Sequence, residues 1–521
     1  MYLITSGEFV TNGLENEFGH IPPAFLPFQN KRLVNHLIGQ LPSIETIYLS
    51  IPEAYEVNKK DYLDFQLNNI KLLRIPKGLT LGQSIIHSLN AIGKYNEVIN
   101  IMHGDTLFHE TSFPVDTFLI SETKVDYNWA YLENDIKENI VYAGYFSFSK
   151  QSILIKSIIE NGYDFIKGIN NYKKEVKVEE IFVEKWYDFG NVNTFFRSKS
   201  ILTSQRVFND MSIENQVVHK SSSNSKKIVA EANWFNYIPN VLKIYTPQIY
   251  NVGIKNGKKF YELEYLPLSS LSEFFVFGNS QGFVWLNILE SCQIFLNTCY
   301  SLKPNESIAT SCFESLYGPK TIRRLEEFMK ESKFEIDKPI ILNGENYPPL
   351  IDIAKNTSML IKPVEPRNIC VNHGDFCFSN ILYDYRLQNI KVIDPRGLDG
   401  NNNETIYGDF RYDVAKLAHS IIGLYDFIIA GYYIFEEKDA YDFNFEIYSN
   451  PNIKVIQDNF LKMKFAGKTL KDMDTFPILV HLFLSMLPLH SDDIIRQKAL
   501  ISNALLIYKQ IYDDNNYSNG R

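Results

Sequence analysis

Over the first 200 residues, short strand-like apolar runs at 2–4, 46–51 and 97–102 alternate with helix-like periodicity at 33–41 and 85–92. That rhythm predicts an α/β unit. Between residues 198 and 211 it breaks, and a strand reading at 216–219 is followed by the polar run 220–227. A domain boundary is therefore expected near residues 200–205, dividing the chain into 1–203 and 204–515. Helical periodicity returns at Ile228, residues 260–266 read as a strand, and the chain from Trp285 onward is mostly helical around two further strands. The second unit is thus expected to be α+β with a large helical lobe. The longest apolar stretch, 417–435, carries His419, Asp426 and two glycines, which predicts a buried helix rather than a membrane span. No internal repeat is present, and the serine-rich residues 221–225 are expected to be a loop rather than a linker.

Composition narrows the partners. Of 521 residues, 45% are apolar and 22% charged, enough to bury a large core. The balance of 52 Lys and Arg against 61 Asp and Glu gives −9, so no global basic field draws in nucleic acid or an anionic membrane. Small molecules are the expected partners. Five cysteines without a C-x-x-C pair suit a reducing compartment, and the first ten residues lack a secretory signal, so a cytoplasmic location is expected.

The richest chemistry lies in residues 371–397. Asp375 precedes Asn380 by five residues, and Asp394 follows at the end of an apolar strand. Two strands flanking one loop would gather all three. Phosphoryl transfer needs a carboxylate to orient and deprotonate the attacking hydroxyl, and oxygen ligands to hold magnesium on the nucleotide phosphates. Asp375 suits the first task, Asn380 and Asp394 the second. For any single one of them, a turn or helix cap is an equally ordinary use.

His373-Gly374-Asp375 with Asn380, then Ile393-Asp394, resembles the signature of the aminoglycoside phosphotransferase and choline kinase family, which has the protein-kinase-like fold. The variant around Cys377-Phe378-Ser379 and Pro395-Arg396-Gly397 resembles a subgroup in bacterial surface-polysaccharide proteins. The resemblance implies ATP and Mg2+, and a strand lysine fixed by a helix glutamate. Lys220 with Glu231 is the chosen pair, with Lys226 and Lys227 as rivals. Residues 209–212 occupy the place of the phosphate-covering loop, and 262–266 that of the adenine-binding hinge. Downstream, Asp413 reads as the N-cap of a helix, leaving Asp409 and Arg396 as candidates for substrate contact. Tyr425, Tyr432 and Tyr433 on the expected 417–435 helix are candidates for an aromatic cage, although aromatics at helical spacing are more often core.

The first half carries a second resemblance. Residues 19–36, the strand ending in Gly104-Asp105, residues 141–148 and Trp186-Tyr187-Asp188-Phe189-Gly190 are similar to blocks of the sugar-phosphate nucleotidyltransferases. In that family Asp105 and Asp188 would hold the catalytic Mg2+, and Ser6 and Gly7 would lie in the loop over the triphosphate of CTP, GTP or UTP. The loop lacks the family's arginine, and Pro23 stands where its lysine would follow a proline; Lys31 or Arg32 would have to compensate.

Together these imply a bifunctional enzyme. The second unit would phosphorylate a sugar, polyol or amino alcohol, and the first would couple the phosphate to a nucleotide for capsule or lipopolysaccharide precursors. The missing basic residues motivate an alternative, a small-molecule kinase with a non-catalytic first unit used for regulation or homo-oligomerisation.

Overall fold

The computed structural model describes residues 1–41, 45–109, 113–123, 139–204 and 211–518. The chain forms two compact units, Met1–Leu202 with Phe277–Asn279, and Thr203–Val276 with Ser280–Arg521.

The first unit is built on strands β1 (Tyr2–Thr5), β2 (Ile47–Pro52), β3 (Ile70–Ile75), β4 (Ile99–His103), β5 (Thr106–Phe108), β6 (Thr117–Glu122), β7 (Ile140–Phe148), β8 (Glu179–Phe182) and β9 (Trp186–Asp188). Seven form one sheet in the order β8-β6-β7-β4-β1-β2-β3, and β5 pairs with β9 in a separate ribbon. β1 runs parallel to both β2 and β4, whereas β7 is antiparallel to β4 and β6. Every residue of β1 and β2 is buried, as continuous apolar strands covered on both faces should be. Helices α1 (Leu81–Ile92), α2 (Gln151–Glu160) and α3 (Phe165–Glu175) supply Leu89, Leu154, Ile158, Ile169 and Tyr172 to the core around Leu3, Ile101 and Phe146. A capping box at Thr80 and Gln83 starts α1, and Gly93 at φ 69° ends it. Strand order reverses between β1 and β4, so their carboxyl ends border the crevice where ligands of such sheets bind.

The second unit opens with an antiparallel sheet of β10 (Met211–Glu214), β11 (Val217–Ser222), β12 (Ile249–Lys255) and β13 (Lys258–Glu264), in the order β10-β11-β13-β12. Helix α4 (Ser225–Tyr237) follows β11. The helical lobe includes α5 (Gly282–Ser301), α6 (Gly318–Ser332), α7 (Phe410–Ile421) and α8 (Thr475–Ser485), with the short strands β14 (Ile369–Val371), β15 (Ile381–Asp384), β16 (Asn389–Val392) and β17 (Tyr407–Asp409) between α6 and α7. Of the expected covering loop, Met211 and Ser212 belong to β10, while 209 and 210 lie outside the described residues.

One expectation needs correction. Residues 417–435 are not one helix: α7 stops at Ile421, Leu424 adopts φ 49°, a short helix spans Tyr425–Ile429, and a strand runs from Tyr433 to Asp439. Gly423 lies at the break in tight packing, since a Cβ there would lie 2.6 Å from both the His419 carbonyl oxygen and the Phe483 ring. Tyr425, Tyr432 and Tyr433 therefore share no helix face, and Tyr425 packs on His419 with ring centroids 4.4 Å apart. Among the described residues no helix is long and apolar enough to cross a membrane. All five cysteines are buried free thiols.

Candidate active sites

In the second unit the motif folds as a loop and a hairpin. β14 delivers His373, and Gly374 turns the chain at φ 76° while its face lies against Arg396; a Cβ there would sit 2.6 Å from Arg396 Cβ. Glycine is thus required twice over at this position. β15 and β16 pair from Ile381 with Val392 to Asp384 with Asn389, and the Ile393 amide donates to the Asn380 carbonyl at 3.0 Å. The open end of this hairpin therefore sets Asn380 beside Asp394.

Asn380 Nδ2 donates to Asp375 Oδ2 and to the Asp375 carbonyl, both at 3.0 Å, which fixes the amide and leaves its Oδ1 for another partner. Burial opposes the charge on Asp375, but Lys416 Nζ, 2.8 Å from Oδ1, and the Asn380 amide hold its carboxyl down to about 2. Asp375 is 41% exposed, so an ionised carboxylate faces an accessible space. His373 is buried and kept neutral, its pKa lowered to about 4 by burial. Its Nε2 donates to the Ile393 carbonyl at 3.0 Å and its Nδ1 accepts the Asp375 amide at 3.3 Å, so one tautomer ties the loop to the hairpin.

Lys220 joins this site from β11. Its Nζ lies 2.9 Å from Glu231 Oε2 on α4 and 2.9 Å from Asp394 Oδ1. Burial works against the ammonium, but Asp394 and Glu231 outweigh it and raise the Lys220 pKa. Glu231 is 1% exposed and also accepts the Tyr261 hydroxyl at 2.7 Å. Of the rivals, Lys227 reaches the other Glu231 oxygen at 3.6 Å from an exposed position, and Lys226 is exposed. Gly397 allows the strand end to seat against α4, since a Cβ there would lie 2.3 Å from the Ala230 carbonyl. Asp394 itself adopts φ 55°, a left-handed conformation of the kind stored at functional positions. An amide oxygen and a half-exposed carboxylate suit a hard divalent cation whose other ligands are phosphate oxygens and water.

The capping role expected of Asp413 falls to Asp409. Asp409, not Asp413, caps the helix, accepting the Arg411 amide. Asp409 is not a substrate contact: it is buried against Arg411, which also reaches Asp474 Oδ2 at 2.9 Å, and it accepts the Tyr317 hydroxyl at 2.7 Å. Asp413, one turn on, accepts the His373 and Gly374 amides at 2.7 and 2.8 Å and so braces the loop that carries Asp375. Lys416, overlooked by sequence reasoning, follows three residues later on the same face.

In the first unit, β4 ends at His103 and Asp105 follows a tight approach at Gly104, whose amide donates to the Thr5 carbonyl at 2.9 Å. The β5–β9 ribbon pairs Thr106 with Asp188, which brings the second carboxylate alongside. A Cβ at Gly190 would lie 2.8 Å from Asp105 Oδ2 and 3.1 Å from Asp188 Oδ1, so only glycine lets both acids converge there. Burial and the facing Asp188 push the Asp105 carboxyl up to about 7. Two acids forced together in this way fit a divalent cation. Among the described residues no group of three or more His, Cys, Asp or Glu gathers as a metal cage, so such a cation would take its other ligands from phosphate and water.

Ser6 is buried, its amide donating to Ser50 Oγ and its hydroxyl accepting the Ala24 amide, each at 3.0 Å. Gly7 lies against Ile75 and Ser84, where a Cβ would approach both to 2.9 Å. Arg32 does not supply the missing basic group: its guanidinium is buried on Asp61 Oδ2 at 2.8 Å and donates to the Phe25 carbonyl. Lys31 beside it is exposed.

No protein-family model matches the chain, and no curated protein matches it. Among solved structures, a Bacillus anthracis protein assigned as a glucose-1-phosphate thymidylyltransferase, in complex with sucrose, aligns at 14% identity over 39% of this chain and 96% of its own, with a TM-score of 0.32. A UDP-glucose pyrophosphorylase complexed with UDP-glucose aligns at 14% identity over 39% and 98%, with a TM-score of 0.30. An aminoglycoside-3'-phosphotransferase of type VIII aligns at 12% identity over 51% and 84%, with a TM-score of 0.31. The first two fall on the amino-terminal part and the third on the carboxy-terminal part. The chain itself combines an α/β unit on a mixed seven-stranded sheet with an α+β unit that opens on a four-stranded antiparallel sheet.

Proposed function

We propose that the carboxy-terminal domain, residues 204–515, is an ATP-dependent small-molecule kinase, and that the amino-terminal domain, residues 1–203, joins the resulting phosphate ester to a nucleotide. The observation that carries this reading is the convergence of Asp375, Asn380, Asp394, Lys220 and Glu231 through the contacts above. Asp375 accepts the proton of a sugar, polyol or amino-alcohol hydroxyl as its oxygen attacks the γ-phosphorus. The bond to the β,γ-bridging oxygen breaks and ADP leaves. Lys220, held by Glu231, binds the donor phosphates, and Asn380 with Asp394 would hold Mg2+, which neutralises phosphate charge when bound. In the amino-terminal domain Asp105 and Asp188 would hold a second Mg2+ while the phosphate ester attacks the α-phosphorus of CTP, GTP or UTP and pyrophosphate departs. Ser6 and Gly7 border the nucleotide crevice. The product suits capsule or lipopolysaccharide precursor synthesis in the cytoplasm.

A second reading keeps only the kinase active, with the amino-terminal domain a regulatory or oligomerisation module. The burial of Arg32 on Asp61 favours it, because the cation available for transition-state charge is already neutralised. Incubation with ATP, Mg2+ and a pooled library of hydroxyl compounds tests the kinase assignment: a phosphorylated product is expected with the wild-type chain and not with Asp375→Ala. Equal product from both chains would overturn it.

A further inference from the structure

Around Tyr412 gathers a second group of cations, separate from Lys220. Arg396 is hydrogen-bonded through its amide to the His373 carbonyl at 2.8 Å, and its side chain crosses the face of Gly374 toward Tyr412. Its guanidinium carbon stands 5.9 Å from the Tyr412 ring centroid. The Tyr317 ring packs 6.2 Å from the same ring and is the N-cap of α6, whose first turn carries Lys320. Lys416, 11% exposed, closes the group from α7. Among the described residues neither Lys320 nor the Arg396 side chain has a carboxylate partner, while Lys416 is matched only by Asp375. Half-buried cations without counter-charge cost desolvation that a bound anion would offset.

The electrostatics agree with the geometry. Burial alone would raise the Tyr412 phenol, yet Lys320, Lys416 and Arg396 together lower it. The Tyr412 phenol attracts Lys320, but burial and repulsion from Arg396, Lys416 and Arg324 prevail and lower the Lys320 pKa. Asp394, by contrast, turns to Lys220, so the donor phosphates already have their own lysine.

We infer that the hydroxyl acceptor carries an anionic group, a carboxylate or a phosphate monoester, seated between Lys320 and Arg396 beside Tyr412. This rests on the kinase reading and deepens it, because it removes cationic amino alcohols from the acceptor classes. The acceptor hydroxyl gives its proton to Asp375 and its oxygen bonds to the γ-phosphorus; the anionic group takes no part in bond changes and only anchors the molecule.

The test is calorimetric titration of the full chain, saturated with Mg2+ and a non-hydrolysable ATP analogue, with glycerol, serinol, D-glycerate and glycerol 3-phosphate. These share a three-carbon hydroxylated skeleton and differ in charge. The two anions should bind about tenfold tighter than glycerol or serinol, and the tighter of the two names the anchoring group. Lys320→Met and the polar, neutral Lys320→Gln should each reduce that advantage about tenfold while leaving the ATP-analogue affinity within about twofold. Equal binding of all four probes, or an anion advantage that survives both Lys320 variants, would overturn the inference and leave the kinase reading standing. Failure of the ATP analogue to bind would take both down.

Discussion

The two acidic centres of this chain are compensated in opposite ways. In the second unit three carboxylates of the centre meet a lysine: Asp375 meets Lys416, and Asp394 and Glu231 share Lys220, whereas Asp413 behind them is held by backbone amides. In the first unit burial, together with the facing acid Asp188, raises the Asp105 carboxyl to about 7, where the second unit's lysine lowers Asp375 to about 2. The first centre is preorganised by protein charges before any ligand arrives. The second sets two acids beside each other, a repulsion that a bound cation would relieve. A metal should therefore change stability more at the second centre, where it would also relieve like-charge repulsion.

The contrast can be broken at four points, from the largest expected effect downward. Asp375→Asn removes the base and should lower kcat by about 10²- to 10⁴-fold in an ATP turnover assay, with binding of Mg2+ and ATP retained. Lys220→Met strips the cation from Glu231, which is 1% exposed, and should destabilise the protein by about 3 kcal/mol in denaturant unfolding. In the amino-terminal centre the sign reverses: Asp188→Asn should raise stability by about 1 kcal/mol in EDTA, because it relieves like-charge repulsion. Last, Mg2+ should raise the wild-type melting temperature by about 2 °C through this centre, and that increment should vanish in Asp188→Asn. A stability loss in Asp188→Asn would contradict the comparison.

Much of this was legible because the contacts are local. Asp375, Asn380 and Asp394 lie on one loop and one hairpin, and Lys220 with Glu231 on consecutive elements, so spacing carries the geometry. Lys416 was missed because it reaches Asp375 from a helix that starts after β17. The available signal was its three-residue spacing from Asp413, which puts both on the face that meets the loop. Asp409 and Asp413 are one turn apart and equally good caps by type; only the depth of Asp409 against Arg411 and Tyr317 separates them. Arg32 read as an available cation because its partner Asp61 lies in a distant helix, Lys59–Leu67. The break in residues 417–435 falls where Gly423 packs closely on Phe483, a contact without local trace. The role of Gly190 could have been suspected from its place in the Trp-x-Asp-x-Gly block, since glycine beside a ligating acid often marks a close approach.

The most direct test of the two-centre account is a complementation assay read by mass spectrometry. Asp375→Ala and Asp105→Ala chains are incubated separately and mixed, with ATP, CTP, GTP, UTP, Mg2+ and the hydroxyl-compound library. The account predicts a phosphate ester but no nucleotide conjugate from Asp105→Ala, neither product from Asp375→Ala, and the conjugate restored in the mixture by diffusion of the ester. Conjugate formed by Asp105→Ala alone at the wild-type level would contradict it.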